Sequence, residues 1–219
     1  MKRTIAQWAM ESPLIVRIYE SRLWRRSPIL TAAFGISFAR EQSLILGAAA
    51  LAGDETVLDL ACGSGIYTRP LARRLPRGRV LGLDLSAPML AYARDRARRE
   101  GLANLVIARA DARALPCAGA SVDLVLCAAA LHLMPDVPRV LAEVARVLVP
   151  GGRVILAVFR AQSGGLAGLT ARLRRGVGTR AFTEPGLAGD LEAAGFAAVR
   201  TLHARAGWLI VQAARRPGA

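Results

Sequence analysis

The stretch Thr56-Val-Leu-Asp-Leu-Ala-Cys-Gly-Ser-Gly65 constrains this chain more than any other. An apolar run (Val57, Leu58, Leu60) carries one acid, Asp59, and stops at two glycines, Gly63 and Gly65. A buried strand that ends in a Gly-rich turn before a helix brings bare backbone within reach of a ligand. From this point the element types alternate. The spacing predicts strands over 56–60, 79–84, 105–108, 122–127 and 153–159. Helices over 66–75, 87–100 and 136–148 fall among them, the second capped by Ser86 with Pro88 in its first turn. Such an order makes a parallel sheet with right-handed crossovers, covered on both faces. A helix over 187–194 and two strands over 199–203 and 208–213, joined at Arg205-Ala206-Gly207, predict an antiparallel hairpin at the sheet edge.

The flanks divide the chain into parts. Residues 1–53 read as an N-terminal helical arm rich in aromatics (Trp8, Tyr19, Trp24, Phe34, Phe38), either a cap over something apolar or an arm packed on the core. Breaks are expected at Ser27-Pro28 and at Phe34-Gly35-Ile36, followed by a helix over 40–51. The sheet domain spans 54–214, and 215–219 is a frayed tail. Within it, the Gly- and Arg-rich stretch 161–185 reads as a mobile lid or surface loop.

The net charge of +14 is carried by arginine, since Lys2 is the only lysine. That charge invites a nucleic-acid reading. The arginines are scattered, however, and aromatics that would stack bases are few. Scarce Lys and Asn beside abundant Ala, Arg and Gly fit a genome-wide composition bias better than one selected interface. Nucleic acid is therefore not the expected partner, and weak attraction to anionic membrane surfaces is compatible with the charge. Cys62, Cys117 and Cys127 show no Cys-x-x-Cys spacing, and His132 and His203 stand far apart, so no metal site is expected. No apolar stretch reaches membrane length and no secretory leader follows Met1, so a cytoplasmic protein is expected.

Three acids stand at strand ends: Asp59 beside the glycine turn, Asp84 closing the second strand, and Asp111 just past the third. Ligands of open parallel sheets bind beyond the carboxyl ends of the strands, so the acids share one crevice with the turn. Asp84 lies about twenty residues past the turn, where a carboxylate accepts from ribose hydroxyls. A nicotinamide dinucleotide fits that far. A pyrophosphate, however, prefers a third glycine where this chain has Arg69, and it is repelled by an acid as near as Asp59. Electrostatics favours a positively charged nucleoside.

The ordered series Val57-Leu-Asp-Leu-Ala-Cys-Gly-Ser-Gly65, Gly82-Leu-Asp-Leu-Ser-Ala-Pro-Met-Leu90, Asp111-Ala-Arg-Ala-Leu-Pro116, Val122-Asp-Leu-Val125, Leu148-Val-Pro-Gly-Gly152 and Ala193-Ala-Gly-Phe196 resembles the class I S-adenosylmethionine-dependent methyltransferases. Within them it is similar to the small-molecule branch of ubiquinone/menaquinone C-methyltransferases. One departure is Ala61, where many relatives carry Gly. The resemblance implies an α/β Rossmann-like, seven-stranded, mostly parallel sheet whose last strand is antiparallel. It implies S-adenosyl-L-methionine as cofactor and S-adenosyl-L-homocysteine as product. By position, Asp59 orients the methionine amine, Gly63 and Gly65 form the turn, and Asp84 takes the ribose hydroxyls. Leu85 packs on the adenine, Asp111 and Ala112 meet its edge, and Cys127 offers a backbone carbonyl near the amine. Tyr19 and Tyr67 are further candidates for lining the pocket.

Methyl transfer from a sulfonium is an in-line displacement that depends on positioning and exclusion of water; a base is needed only where the acceptor must lose a proton. His132, just after the fourth strand, is the candidate base, with a pocket-shaping role as the alternative. The Asn/Asp-Pro-Pro-aromatic motif of planar-amine methylation is missing after the fourth strand, which reads Cys127-Ala-Ala-Ala-Leu-His132. Apolar Leu131, Leu133 and Met134 beside the aromatic arm point to a lipophilic acceptor, a quinone, polyketide or lipid-like molecule, methylated at O or C. The readings left beside it are an RNA-directed methyltransferase or RNA-binding protein, an NAD-dependent oxidoreductase, and a fold that keeps the cofactor but performs another reaction.

Overall fold

The computed structural model describes Ser21, residues 26–162, Gly176 and residues 178–218. Trp8, Tyr19 and Trp24, and most of the expected lid (163–175), lie outside the described residues.

The sheet has seven strands: β1 Thr56–Leu60, β2 Arg79–Asp84, β3 Leu105–Arg109, β4 Val122–Ala128, β5 Leu148–Phe159, β6 Phe196–Arg205 and β7 Trp208–Arg215. Their order is β3-β2-β1-β4-β5-β7-β6, with β7 antiparallel to both of its neighbours. This is the Rossmann-like, mostly parallel arrangement that the resemblance implies. The chain leaves β1 for β2 on one side and returns to place β4 on the other, so the direction of winding switches between β1 and β4. A crevice opens at that switch, beyond the carboxyl ends of the strands.

Side-chain alternation sorts the central strands onto two cores. Leu58, Leu60, Val125, Cys127, Val154, Leu156 and Val158 face one core, which is completed by helices α5 (Val137–Val147) and α6 (Glu184–Ala193). Val57, Leu124, Leu126, Ile155 and Ala157 face the other, which is covered by α2 (Phe38–Ala48) and α3 (Thr68–Arg73). The period of two along buried strands makes this division automatic. Helix α5 shows the matching helical period, burying Val137, Val140, Leu141, Val144 and Val147, with Asp136 as its N-cap.

Ser27-Pro28 opens a helix rather than merely breaking one: Ser27 accepts from the Leu30 N–H and caps α1 (Pro28–Phe34). Gly35, at φ +67°, then turns the chain into α2. Among the described residues no single helix is long and apolar enough to cross a membrane; α1 and α2 reach that length and apolarity only as a pair bent by 49°. Helix α2 lays Glu41, Ile45 and Leu46 inward. The strand expected from Arg153 instead begins at Leu148: Leu148 pairs with Val122, Arg153 with Leu124, and Pro150-Gly151-Gly152 bulges between the two pairings. Helix α6 starts at Glu184, earlier than expected, because Thr183 accepts from the Gly186 N–H.

At the end of β1, Ala61 adopts φ +57°. The left-handed region costs an L-residue about 1–2 kcal/mol, part of which a glycine loses again in chain entropy. Ala61→Gly should therefore stabilise the protein by about 0.5–1 kcal/mol in denaturant unfolding. An unchanged or lowered midpoint would show that Ala61 is not strained.

Candidate active site

The crevice at the β1/β4 switch encloses about 1120 Å³, its open mouth included. One wall is the turn 59–67, a second runs from Leu83 to Met89, a third is 110–113, and the fourth is 128–135. Asp59 and Asp84 stand side by side in it, because Asp59 pairs with Gly82 across the β1–β2 ladder and Asp84 closes the same strand.

Backbone groups hold Asp84 in place. Its Oδ2 accepts from the Gly63 N–H at 2.9 Å and its Oδ1 from the Ser86 N–H at 2.7 Å. The first bond ties the glycine turn to the end of β2, and the second fixes the start of α4 (Ala87–Arg99), whose N-cap is Ser86. Gly63 has φ +53°, and a Cβ placed there would meet little, the nearest atom being Met89 Sδ at 4.0 Å. Conformation rather than crowding requires the glycine, and its bare backbone faces open space. Gly65 serves differently. It does not line the crevice; at φ +77° it lets Ala93 of α4 approach to 3.3 Å of where its Cβ would be.

Asp59 is 2% exposed and accepts from Thr68 Oγ1 at 2.5 Å. Burial pushes its pKa from the ordinary 3.8 up to about 7; the Thr68 bond opposes that rise and the charge of Asp84 adds to it. Asp84 is raised as well, first by burial, against the pull of the Ser86 and Gly63 N–H groups. Among the described residues no arginine is paired with either carboxylate. A cationic ligand placed between these two acids would favour their charged forms and offset the cost of burying them.

Asp111 sits across the crevice and is engaged by Arg113: the guanidinium donates to Oδ1 at 3.0 Å and Oδ2 at 2.6 Å, and the Arg113 N–H to Oδ1 at 2.9 Å. These bonds hold its carboxyl below the usual range. Ala112 and the half-exposed Leu85 also line the crevice.

His132 is buried, but it does not line the crevice, although its neighbours Leu133 and Met134 do. The 3-10 turn Leu131–Leu133 directs its ring onto Phe159, with centroids 3.8 Å apart, and toward Trp208 at 6.1 Å. Cys127, expected to offer its backbone carbonyl, turns its side chain to the α5/α6 core, where burial pushes the thiol up to about 12; Ala128 and Ala129, which follow it, line the crevice. The sequence reading missed Thr68, Met89 and Arg113. Thr68 opens α3 one helical turn beyond the glycines, and Arg113 follows Asp111 by two residues, so both were findable as partners of the acids. Among the described residues, no group of three or more His, Cys, Asp or Glu could hold a metal ion.

Raised acids make stability fall with pH. Between the unfolded value of 3.8 and about 7 the folded Asp59 keeps a proton that the unfolded chain releases, so each rise in pH in that window favours unfolding. The unfolding free energy of the ligand-free protein should fall from pH 5 to pH 8, by an amount on the order of a few kcal/mol for Asp59. Asp59→Asn should flatten the slope, and a slope of unchanged steepness in that variant would contradict the burial argument.

Comparison with known proteins agrees with this geometry. Residues 57–152 match the model described as "Methyltransferase domain". Over 101 residues the chain is 41% identical to the demethylmenaquinone methyltransferase of Lactococcus lactis, covering 46% of this chain and 40% of that protein. It is 31% identical to the nocamycin O-methyltransferase of Saccharothrix syringae, over 67% of this chain and 61% of that one. The chain spans about half the length of the curated relatives it matches. In fold it is similar to a SAM-dependent methyltransferase from Aquifex aeolicus, with TM-score 0.70 and 20% identity over 93% of this chain and 98% of that one. Residues 57–152 thus match a methyltransferase domain, and much the same stretch is similar in sequence to the demethylmenaquinone methyltransferases.

Proposed function

We propose that the protein transfers a methyl group from S-adenosyl-L-methionine to an O or C atom of a small apolar acceptor of quinone-like character. The observation that carries this reading is the pair of inward-facing acids, Asp59 and Asp84, at the ends of adjacent strands, with no arginine among the described residues paired to either. S-adenosylmethionine fits the donor set: it brings an amine and a sulfonium to a negative crevice, and a ribose whose hydroxyls suit a carboxylate already oriented by two N–H groups. A dinucleotide would lay its pyrophosphate against the same acids.

When bound, the cofactor supplies an electrophilic methyl on sulfur. The chain does the rest by placement. Asp59 holds the amine, Asp84 the ribose, and Asp111, steadied by Arg113, the adenine edge beside Leu85 and Ala112. The bare backbone of Gly63 lies along the methionine part. Acceptor space lies along Ala129, Leu133, Met134 and Pro135, which give an apolar surface that excludes water from the displacement. The names of two relatives, a demethylmenaquinone methyltransferase and a nocamycin O-methyltransferase, support a small-molecule acceptor, and the second supports oxygen as a target atom. His132, stacked on Phe159 behind this wall, shapes the acceptor side rather than exchanging a proton with the acceptor.

Calorimetric titration tests the reading. S-adenosylhomocysteine should bind and NAD should not; the reverse would refute it. Asp84→Ala removes two charge-assisted contacts of about 1.5–3 kcal/mol each, so affinity should fall by at least about 100-fold. His132→Ala should leave that affinity within about twofold. Unchanged binding in Asp84→Ala would refute the ribose assignment.

A further inference from the structure

Helix α2 lies outside the matched domain, yet two of its side chains grip the crevice wall. Gln42 Nε2 donates to the Ile66 carbonyl at 3.1 Å. Its neighbour Glu41, 6% exposed, accepts from the Trp208 indole N–H at 3.1 Å and from the Tyr67 hydroxyl. Phe38 adds a ring contact to Tyr67, with centroids 6.1 Å apart. Ile66 and Tyr67 both line the crevice immediately after the glycine turn. A hydrophobic side chain would hold the helix to the sheet more simply than a buried carboxylate, whose burial costs free energy unless its bonds matter.

We propose that Glu41 is a positioning residue of the cofactor site: by holding the Tyr67 hydroxyl it fixes the crevice wall beside the glycine turn and sets cofactor affinity from outside the matched domain. This rests on the S-adenosylmethionine reading above. A hydrogen bond to an ionised carboxylate is about twice as strong as one to a neutral group, so the grip on Tyr67 is firm only when Glu41 is charged. Burial raises Glu41 to about 7, against the Tyr67 and Trp208 bonds, which places the change near neutrality. Tyr67 is the titratable group that meets Glu41 from the segment before α3. From β7 the indole of Trp208 meets it, with the His132 ring beyond, 6.1 Å from Trp208. On its own helix, Arg40 is exposed.

The test is S-adenosylhomocysteine affinity by calorimetry from pH 5.5 to 8.5 for the native chain, Glu41→Gln and Tyr67→Phe. Above pH 8 each variant should bind roughly tenfold more weakly than the native chain. Below pH 6 the native chain and Glu41→Gln should converge, because Glu41 is then protonated. Asp59 is present in all three proteins, so the ratio of affinities isolates Glu41. A ratio constant across pH, or equal affinities throughout, overturns the proposal and leaves Glu41 a packing residue. Absence of binding in the native chain overturns the cofactor reading itself, a distinct outcome. Tyr67→Phe keeps the ring and gives a second readout if Glu41→Gln does not fold.

Discussion

The hydrogen bond from the Gly63 N–H to Asp84 Oδ2 is the joint on which the crevice depends. It fastens the turn after β1 to the end of β2, so the floor and one wall are set by a single carboxylate. Asp84 can serve both only because Gly63 takes a left-handed φ and points its N–H across the gap. The Cys62 N–H, donating to the Leu83 carbonyl, closes the same seam one residue earlier. A ligand that reaches Asp84 thus meets an acceptor already aimed, which lowers the ordering needed on binding.

Strain and charge both occur at the crevice. Of the six left-handed alanines among the described residues, two, Ala61 and Ala129, line it, at φ +57° and +60°. Asp59 and Asp84 are buried beside each other with raised pKa values. Each feature is unfavourable for the empty protein, and a cation placed between the strands would relieve the electrostatic one. Features of this kind are characteristic of binding sites held ready by the surrounding fold. The acceptor side differs. The wall of Ala129, Leu133, Met134 and Pro135 is apolar, and His132 near it is turned into an aromatic stack with Phe159 and Trp208; under the proposed function, chemistry there rests on shape more than on proton transfer.

Much of the sheet was legible because its strands are buried on both faces and bounded by turn residues: β1 and β2 fall where the apolar runs Val57–Leu60 and Val80–Leu83 put them. Caps were legible for the same local reason, as at Ser86 and Asp136. The bulge at Pro150-Gly151-Gly152 was not, since whether such a tripeptide ends a strand or kinks it is decided by the partner strand β4. In the site, Asp59, Gly63 and Asp84 could be placed because strand ends converge in this topology. His132 could not. Its backbone position follows from β4, but the direction of its ring is set by Phe159 and Trp208, residues 27 and 76 positions away in sequence. Glu41 and Tyr67 were invisible as a pair for the same reason.

A crystal structure grown with S-adenosylhomocysteine tests the proposal that the crevice between β1 and β4 holds S-adenosylmethionine by its amine and ribose. The expected result is the ribose hydroxyls on Asp84, the amine at Asp59, and the sulfur facing the apolar wall at Ala129 and Met134. Ligand density that leaves both carboxylates untouched, or that lies outside this crevice, would contradict it.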